Sequence, residues 1–129
     1  MTRWLAFSLL VVLVTFPGVA QSGISQTKEK QQFAYILRLV PRLVDTKNWT
    51  EEDNKIVERH LQQLQQLRKD GKLILAGRTL VSDPTGIVIL QVDTLEEARQ
   101  IMQNDEAVKA KIMTAQVYPF KVSLTKASE

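Results

Sequence analysis

The chain has 129 residues, with 17 Lys plus Arg against 14 Asp plus Glu, 44% hydrophobic residues and no cysteine. That length suits one domain and leaves no room for a second, and the missing cysteine excludes disulfides, thiolate metal sites and a thiol nucleophile. A net charge of +3, spread along the chain without a basic run, is too diffuse for sequence-independent nucleic-acid binding.

Arg3 precedes an uncharged stretch from Trp4 to Phe16, then Pro17, Gly18, Val19, Ala20 and polar sequence from Gln21. A basic start, a short apolar core and small residues at Gly18 and Ala20 describe a secretory signal peptide cut after Ala20. A membrane-spanning helix wants roughly 20 apolar residues uninterrupted by proline, which this stretch lacks. Residues 1–20 are therefore expected to be removed and the remainder to be secreted or periplasmic. Residues 21–32 are polar and aperiodic, a flexible lead-in; the domain is expected over 33–124, with a frayed tail at 125–129.

Phe33–Val40 is rich in β-forming residues and stopped by Pro41, which reads as a strand. Thr50-Glu51-Glu52-Asp53 resembles a capping box with Asp in place of Glu. The helix it opens should run to about Lys69, where Asp70-Gly71 supplies a left-handed stop. Lys72–Leu80 and Gly86–Val92 form a hairpin around Ser82-Asp83-Pro84-Thr85. Thr94-Leu95-Glu96-Glu97 is a full capping box for a second helix to about Asn104. Asp105 stands ahead of a short helical turn over Glu106–Lys111, and Thr114–Val122 closes the chain as a strand that Pro119 places at an edge or a bulge. The order β-α-β-β-α-β is the ferredoxin-like α+β arrangement, with both main helices on one face of a four-stranded antiparallel sheet.

In the second helix Leu95, Ala98, Ile101 and Met102 share one arc. The strands are less tidy. Phe33, Tyr35, Leu37 and Leu39 occupy one face of the first, but the other carries Ala34, Ile36, Arg38 and Val40, and Ile87-Val88-Ile89-Leu90 is apolar on both faces. A sheet with solvent on its second side should alternate cleanly, so the second face needs a cover. A homodimer through that face is the economical answer.

In the first helix Ile56, Val57, Leu61, Leu64 and Leu67 form the apolar arc, and His60, the chain's single histidine, falls inside it. Two readings stand for such an imidazole: a core histidine whose nitrogens are satisfied internally, or an acid–base group.

Arg59-His60-Leu61-Gln62-Gln63-Leu64, Gly71-Lys72-Leu73-Ile74-Leu75-Ala76-Gly77, Glu96-Glu97-Ala98 and Val117-Tyr118-Pro119-Phe120 together resemble the motifs of the YciI-like (YCII-related) proteins of the dimeric α+β barrel superfamily. The resemblance runs from Phe33 to Val122. It implies a face-to-face dimer with a small cleft and a His–Asp acid–base pair, matched here by His60 and Asp105. The family's Asp-Pro-aromatic motif reads Asp105-Glu106-Ala107 in this chain, and Arg78 stands where Pro usually follows Ala-Gly; both departures fall where the cleft is expected.

A carboxylate on one ring nitrogen fixes the tautomer and leaves the other nitrogen to take or give a proton. Asp105 serves equally well as a cap for the turn after it, and Asp83 is explained by the hairpin turn alone. Arg38, Arg42 and Arg78 would attract an anionic substrate if they converge; Arg38 and Arg78 are the candidate substrate-binding residues. One histidine and no cysteine leave little to hold a metal, and no cofactor-binding loop is present. Two functions follow. The first is a small acid–base enzyme of isomerase, lyase or dehydrochlorinase type acting on a small organic molecule; the second is a non-catalytic ligand-binding or dimerisation module with a structural histidine.

Overall fold

Strand β1 (Gln31–Leu39) forms because a β-rich run is freed from the polar lead-in and halted by Pro41. In the computed structural model, which describes residues 28–126, it lies at the centre of the sheet. The expected signal peptide, residues 21–27 of the lead-in and residues 127–129 of the tail lie outside the described residues.

The remaining elements follow in chain order: α1 (Pro41–Val44), a 3-10 turn (Thr46–Asn48), α2 (Glu51–Lys69), β2 (Leu73–Arg78), β3 (Thr85–Val92), α3 (Leu95–Gln103), α4 (Glu106–Lys109) and β4 (Met113–Phe120). The sheet order is β2-β3-β1-β4 and every pairing is antiparallel. Helices cover one face, so the fold is ferredoxin-like α+β, as the element order led us to expect. Pro119 sits in β4, an edge strand where its missing N–H costs no internal pairing.

Boundaries moved where pairing outweighed composition. Gln31 and Gln32 join β1 because Val92 and Gln91 are there to pair with them. β2 ends at Arg78, short of the expected Leu80, and Leu80 and Val81 are left exposed. α1 is an element its own residues barely announce, because Pro41 reads as a strand stop. Proline is also a favoured first residue of a helix, since its missing N–H has no intrahelical partner there. The turn matters because it buries Leu43 with Ile56, Ala107 and Ile112 in a second apolar cluster beneath α4.

α2 is fixed at both ends. Thr50 Oγ1 accepts from the Asp53 backbone N–H at 3.2 Å and Asp53 accepts from the Thr50 N–H at 2.9 Å, a complete capping box. At the other end Gly71 adopts a φ of 69°, with Lys72 N donating to Leu67 O and Gly71 N to Arg68 O: a Schellman stop. α4 ends the same way around Lys111, whose φ is 59°. Ile112 N donates to Ala107 O at 3.1 Å and Lys111 N to Val108 O at 3.0 Å, which turns Ile112 into the second cluster. The box at α3 is only half formed. Thr94 accepts from Glu97 N, but the Glu97 carboxylate accepts from Asp93 N and pairs with Lys72 across the fold.

Asp53 is buried and also receives a bidentate Arg42, at 2.6 and 2.9 Å. The Arg42 bond, followed by those from Thr50, holds the Asp53 carboxyl well below the usual range. A carboxyl lowered in the folded state contributes stability that is present at neutral pH and lost as pH falls from its unfolded value, about 3.9, towards the folded one. Arg42→Met is therefore expected to lower the melting temperature at pH 7, with the gap to the native chain closing below about pH 4. Thermal melts across pH test this; a gap of constant size down to about pH 2.5 would overturn it.

The main core fills the space between the sheet and α2 and α3, with Phe33, Tyr35 and Leu37 of β1 and Val88, Leu90 and Val92 of β3 under Leu64, Leu67 and Ala98. On the far face Ala34 and Ile89 are buried, Ile36 and Ile87 half-buried, and Leu75, Tyr118 and Phe120 about half exposed at 53%, 48% and 47%. Among the described residues no helix is long and apolar enough to cross a membrane.

Candidate active site

The expected apolar arc of α2 divides along its length. Leu64 and Leu67 are buried against the sheet, but Leu61 is 53% exposed. Between this part of the helix and the sheet lies a hollow of about 490 Å³. Leu61, Val57 and His60 of α2 form one wall, Leu37 and Val88 the floor, and Trp49 and Met113 a side. Gly86 is part of the floor, and a Cβ added there would lie 3.0 Å from Leu37 Cβ, so a larger residue would force Leu37 to move. Trp49 is tethered by its indole N–H, which donates to Leu43 O at 2.8 Å. The lining is thus mostly apolar with few polar groups, as in small-ligand sites generally.

His60 reaches this hollow by one edge of its ring. Nδ1 lies 2.8 Å from both carboxylate oxygens of Asp105, with the side chains 11% and 0% exposed. A carboxylate only accepts, so Nδ1 carries the proton it shares. Nε2 has no bonded partner, and among the described residues no buried side-chain nitrogen or oxygen is left unpaired; Nε2 is therefore open to the outside of the protein.

Asp105 does both of the things its sequence position allowed. It caps α4 through Ala107 N, 2.9 Å from Oδ1, and it holds His60. A third donor was not foreseen: Tyr35 O–H, 3.0 Å from Oδ2. Tyr35 is fully buried. Burial first, then the negative charge of Asp105 and the bond to it, push the phenol far above its ordinary value, so it stays protonated and donates. The signal was available, because strand alternation put Tyr35 on the buried face, where a hydroxyl needs a partner. Gln63, one turn after His60, accepts from Glu106 N at 3.0 Å, so α2 grips both sides of the α4 N-terminus.

The arginines do not converge. Arg78 lines the same hollow as His60. Arg38 points to the opposite face of the sheet, beside Ile36, Thr114 and Tyr118, because it alternates with Leu37. Arg42 is committed to Asp53. Asp83 is exposed in the β2–β3 connection and does not itself line the hollow, although Pro84 beside it does. Among the described residues no three His, Asp or Glu side chains gather as a metal site would need.

The model of the YCII-related domain matches residues 31–121. The chain belongs to the YCII-related domain family. Among solved structures it is similar to 5-chloro-2-hydroxyhydroquinone dehydrochlorinase (TftG) from Burkholderia phenoliruptrix AC1100 in complex with 2,5-dihydroxybenzoquinone. The identity is 18% and the TM-score 0.55, over 70% of this chain and 93% of that one. It is also similar to the uncharacterized protein TM1266 from Thermotoga maritima, at 10% identity and a TM-score of 0.47, over 72% of this chain and all of that one. The comparison with curated proteins found no match. At 18% identity the likeness to the dehydrochlorinase shows the fold alone, and the chemistry has to be argued from the residues.

Proposed function

We propose that the chain is an exported acid–base enzyme acting on a small organic molecule, with His60 as proton carrier and Asp105 as the residue that positions it. The observation that carries this reading is His60 Nδ1 held at 2.8 Å by a fully buried carboxylate while the ring lines a largely apolar hollow and Nε2 is left without a hydrogen-bond partner among the described residues. With its tautomer fixed, the ring accepts a proton from bound ligand at Nε2. The imidazolium is then paired with Asp105, and the proton returns to a different ligand atom in an isomerisation or leaves as a group departs in an elimination. Dehydrochlorination is one such elimination, and a dehydrochlorinase shares the fold.

The far sheet face, with Leu75, Tyr118 and Phe120 half exposed beside Ile87, supports a homodimer in which a second copy covers it. Mass spectrometry and light scattering on the exported protein read the address and the assembly together: a subunit running from Gln21 to Glu129 and a particle of twice its mass. A first residue other than Gln21 removes the cleavage assignment, and a single-subunit mass at micromolar concentration removes the dimer.

The enzymatic reading is tested by incubating the full chain with 5-chloro-2-hydroxyhydroquinone and following chloride, and with small enolisable ketones in D2O and following proton exchange. Saturable turnover in either assay is expected. None in both would leave His60 a structural residue.

A further inference from the structure

The hollow has two ionisable side chains in its lining, His60 and Arg78. They differ in how they are held. His60 is tied to Asp105, whereas Arg78 makes no ion pair and no side-chain hydrogen bond to any described residue. Arg42, Arg59 and Arg99 each have a carboxylate within reach. Among the described residues no acid lines the hollow; Asp105, behind the imidazole, is engaged by three donors, and Asp83, next to Pro84 of the lining, is exposed to solvent. Arg78 is the last residue of β2, and it pairs with Gly86 of the cavity floor. Its backbone is thus fixed by the sheet while its head group stays exposed at the rim. A guanidinium is always charged and presents a planar fork of donors that matches a carboxylate.

From this arrangement we infer that the ligand of the site is an organic anion with an apolar body, its carboxylate on Arg78 and its body against Leu61, Trp49 and Val88. The inference rests on the reading of this hollow as the substrate site, and it adds the class of substrate. The apolar lining favours burying a hydrocarbon portion over a small hydrated ion. Arg78 supplies the fixed charge that orients the molecule with its uncharged end towards Nε2. That orientation also keeps the anion away from Asp105, whose negative charge would repel it.

Calorimetric titration of the full chain with benzoate, benzamide and acetate tests this. Benzoate and benzamide share a body and differ in charge; benzoate and acetate share a charge and differ in body. Benzoate is expected to bind about tenfold more tightly than either. In Arg78→Met the preference for benzoate over benzamide is expected to fall to about one, with the melting temperature unchanged because Arg78 is exposed and unpaired. Arg78→Lys should keep part of it, and His60→Asn all of it. Equal binding of benzoate and benzamide, an undiminished preference in Arg78→Met, a preference lost in His60→Asn instead, or no benzoate binding at millimolar concentration would each overturn the assignment. The acid–base reading fails separately: a benzoate preference that depends on Arg78, in a protein without turnover, leaves the anion site standing and removes the chemistry.

Discussion

His60→Asn is expected to lower kcat/KM by about 10²- to 10⁴-fold, the usual contribution of a positioned proton carrier, while the protein stays folded. Asparagine is chosen because its amide nitrogen falls near the place of Nδ1 and can donate to Asp105 as the ring does. The buried carboxylate therefore keeps a partner. What is lost is Nε2, the ring nitrogen that has no partner among the described residues. Asn and His have about the same helix propensity, so the melting temperature should move by only a few degrees. Most of the fall should lie in kcat, since Arg78 and the apolar lining residues that hold the ligand are untouched. Calorimetric melts and steady-state kinetics on the same preparation separate the two effects. A drop in kcat/KM of less than about threefold, with turnover present, would show that another group moves the proton.

The sequence carried the sheet and the two long helices plainly, because their signals are local. Thr50 with Asp53 opens α2, Gly71 closes it, and alternation puts Phe33, Tyr35 and Leu37 on the helix side. Those signals need only a few neighbouring residues. The α2 projection also placed His60 among apolar residues, which is why a single residue stood out.

Three things were not legible, and each depends on contacts between distant residues. Leu61 has the same periodicity as Leu64, yet one lines an open hollow and the other is buried; helical projection gives direction but not distance from the sheet. Alternation already set Arg38 on the face away from Leu37, but which face Arg78 takes follows only from strand register, which puts it opposite Gly86 on the near one while Arg38 lies beside Thr114 on the far one. The alternatives for Asp105, cap or histidine partner, turned out to be compatible: Oδ1 caps Ala107 N while both oxygens face Nδ1. Local reasoning treats these as competitors because it counts one role per residue, whereas a carboxylate has about four lone-pair sites. The missing family Pro and aromatic after Asp105 are likewise accommodated locally, since Gln63 takes the Glu106 N–H and Ala107 fits fully buried in the second cluster.

Asp105→Ala is expected to be the most destabilising single change at the site, costing about 3–5 kcal/mol because it strips a buried acceptor from several donors at once. The Tyr35 hydroxyl and the Ala107 N–H would be left buried without partners, and His60 Nδ1 would lose its only bond. In a domain this small that is a fall in melting temperature of more than about 12 °C. Tyr35→Phe supplies the comparison. It removes one of the donors and leaves the others in place, so it should cost only about 1 kcal/mol. Asp105→Asn separates stability from positioning. Its amide oxygen still accepts from Ala107 N, and its nitrogen finds the Tyr35 oxygen, so the fold is largely kept. Nδ1 then meets an amide N–H on one side and an amide oxygen already accepting from Ala107 N on the other, which shifts the ring towards the tautomer with its proton on Nε2. The nitrogen chemical shifts of His60 report that exchange of tautomers directly, a readout that loss of packing alone does not produce. Activity should fall with the tautomer change and not with the melting temperature. If Asp105→Ala melted within a few degrees of Tyr35→Phe, or if Asp105→Ala and Asp105→Asn both left the His60 shifts unchanged, Asp105 would be a helix cap and nothing more.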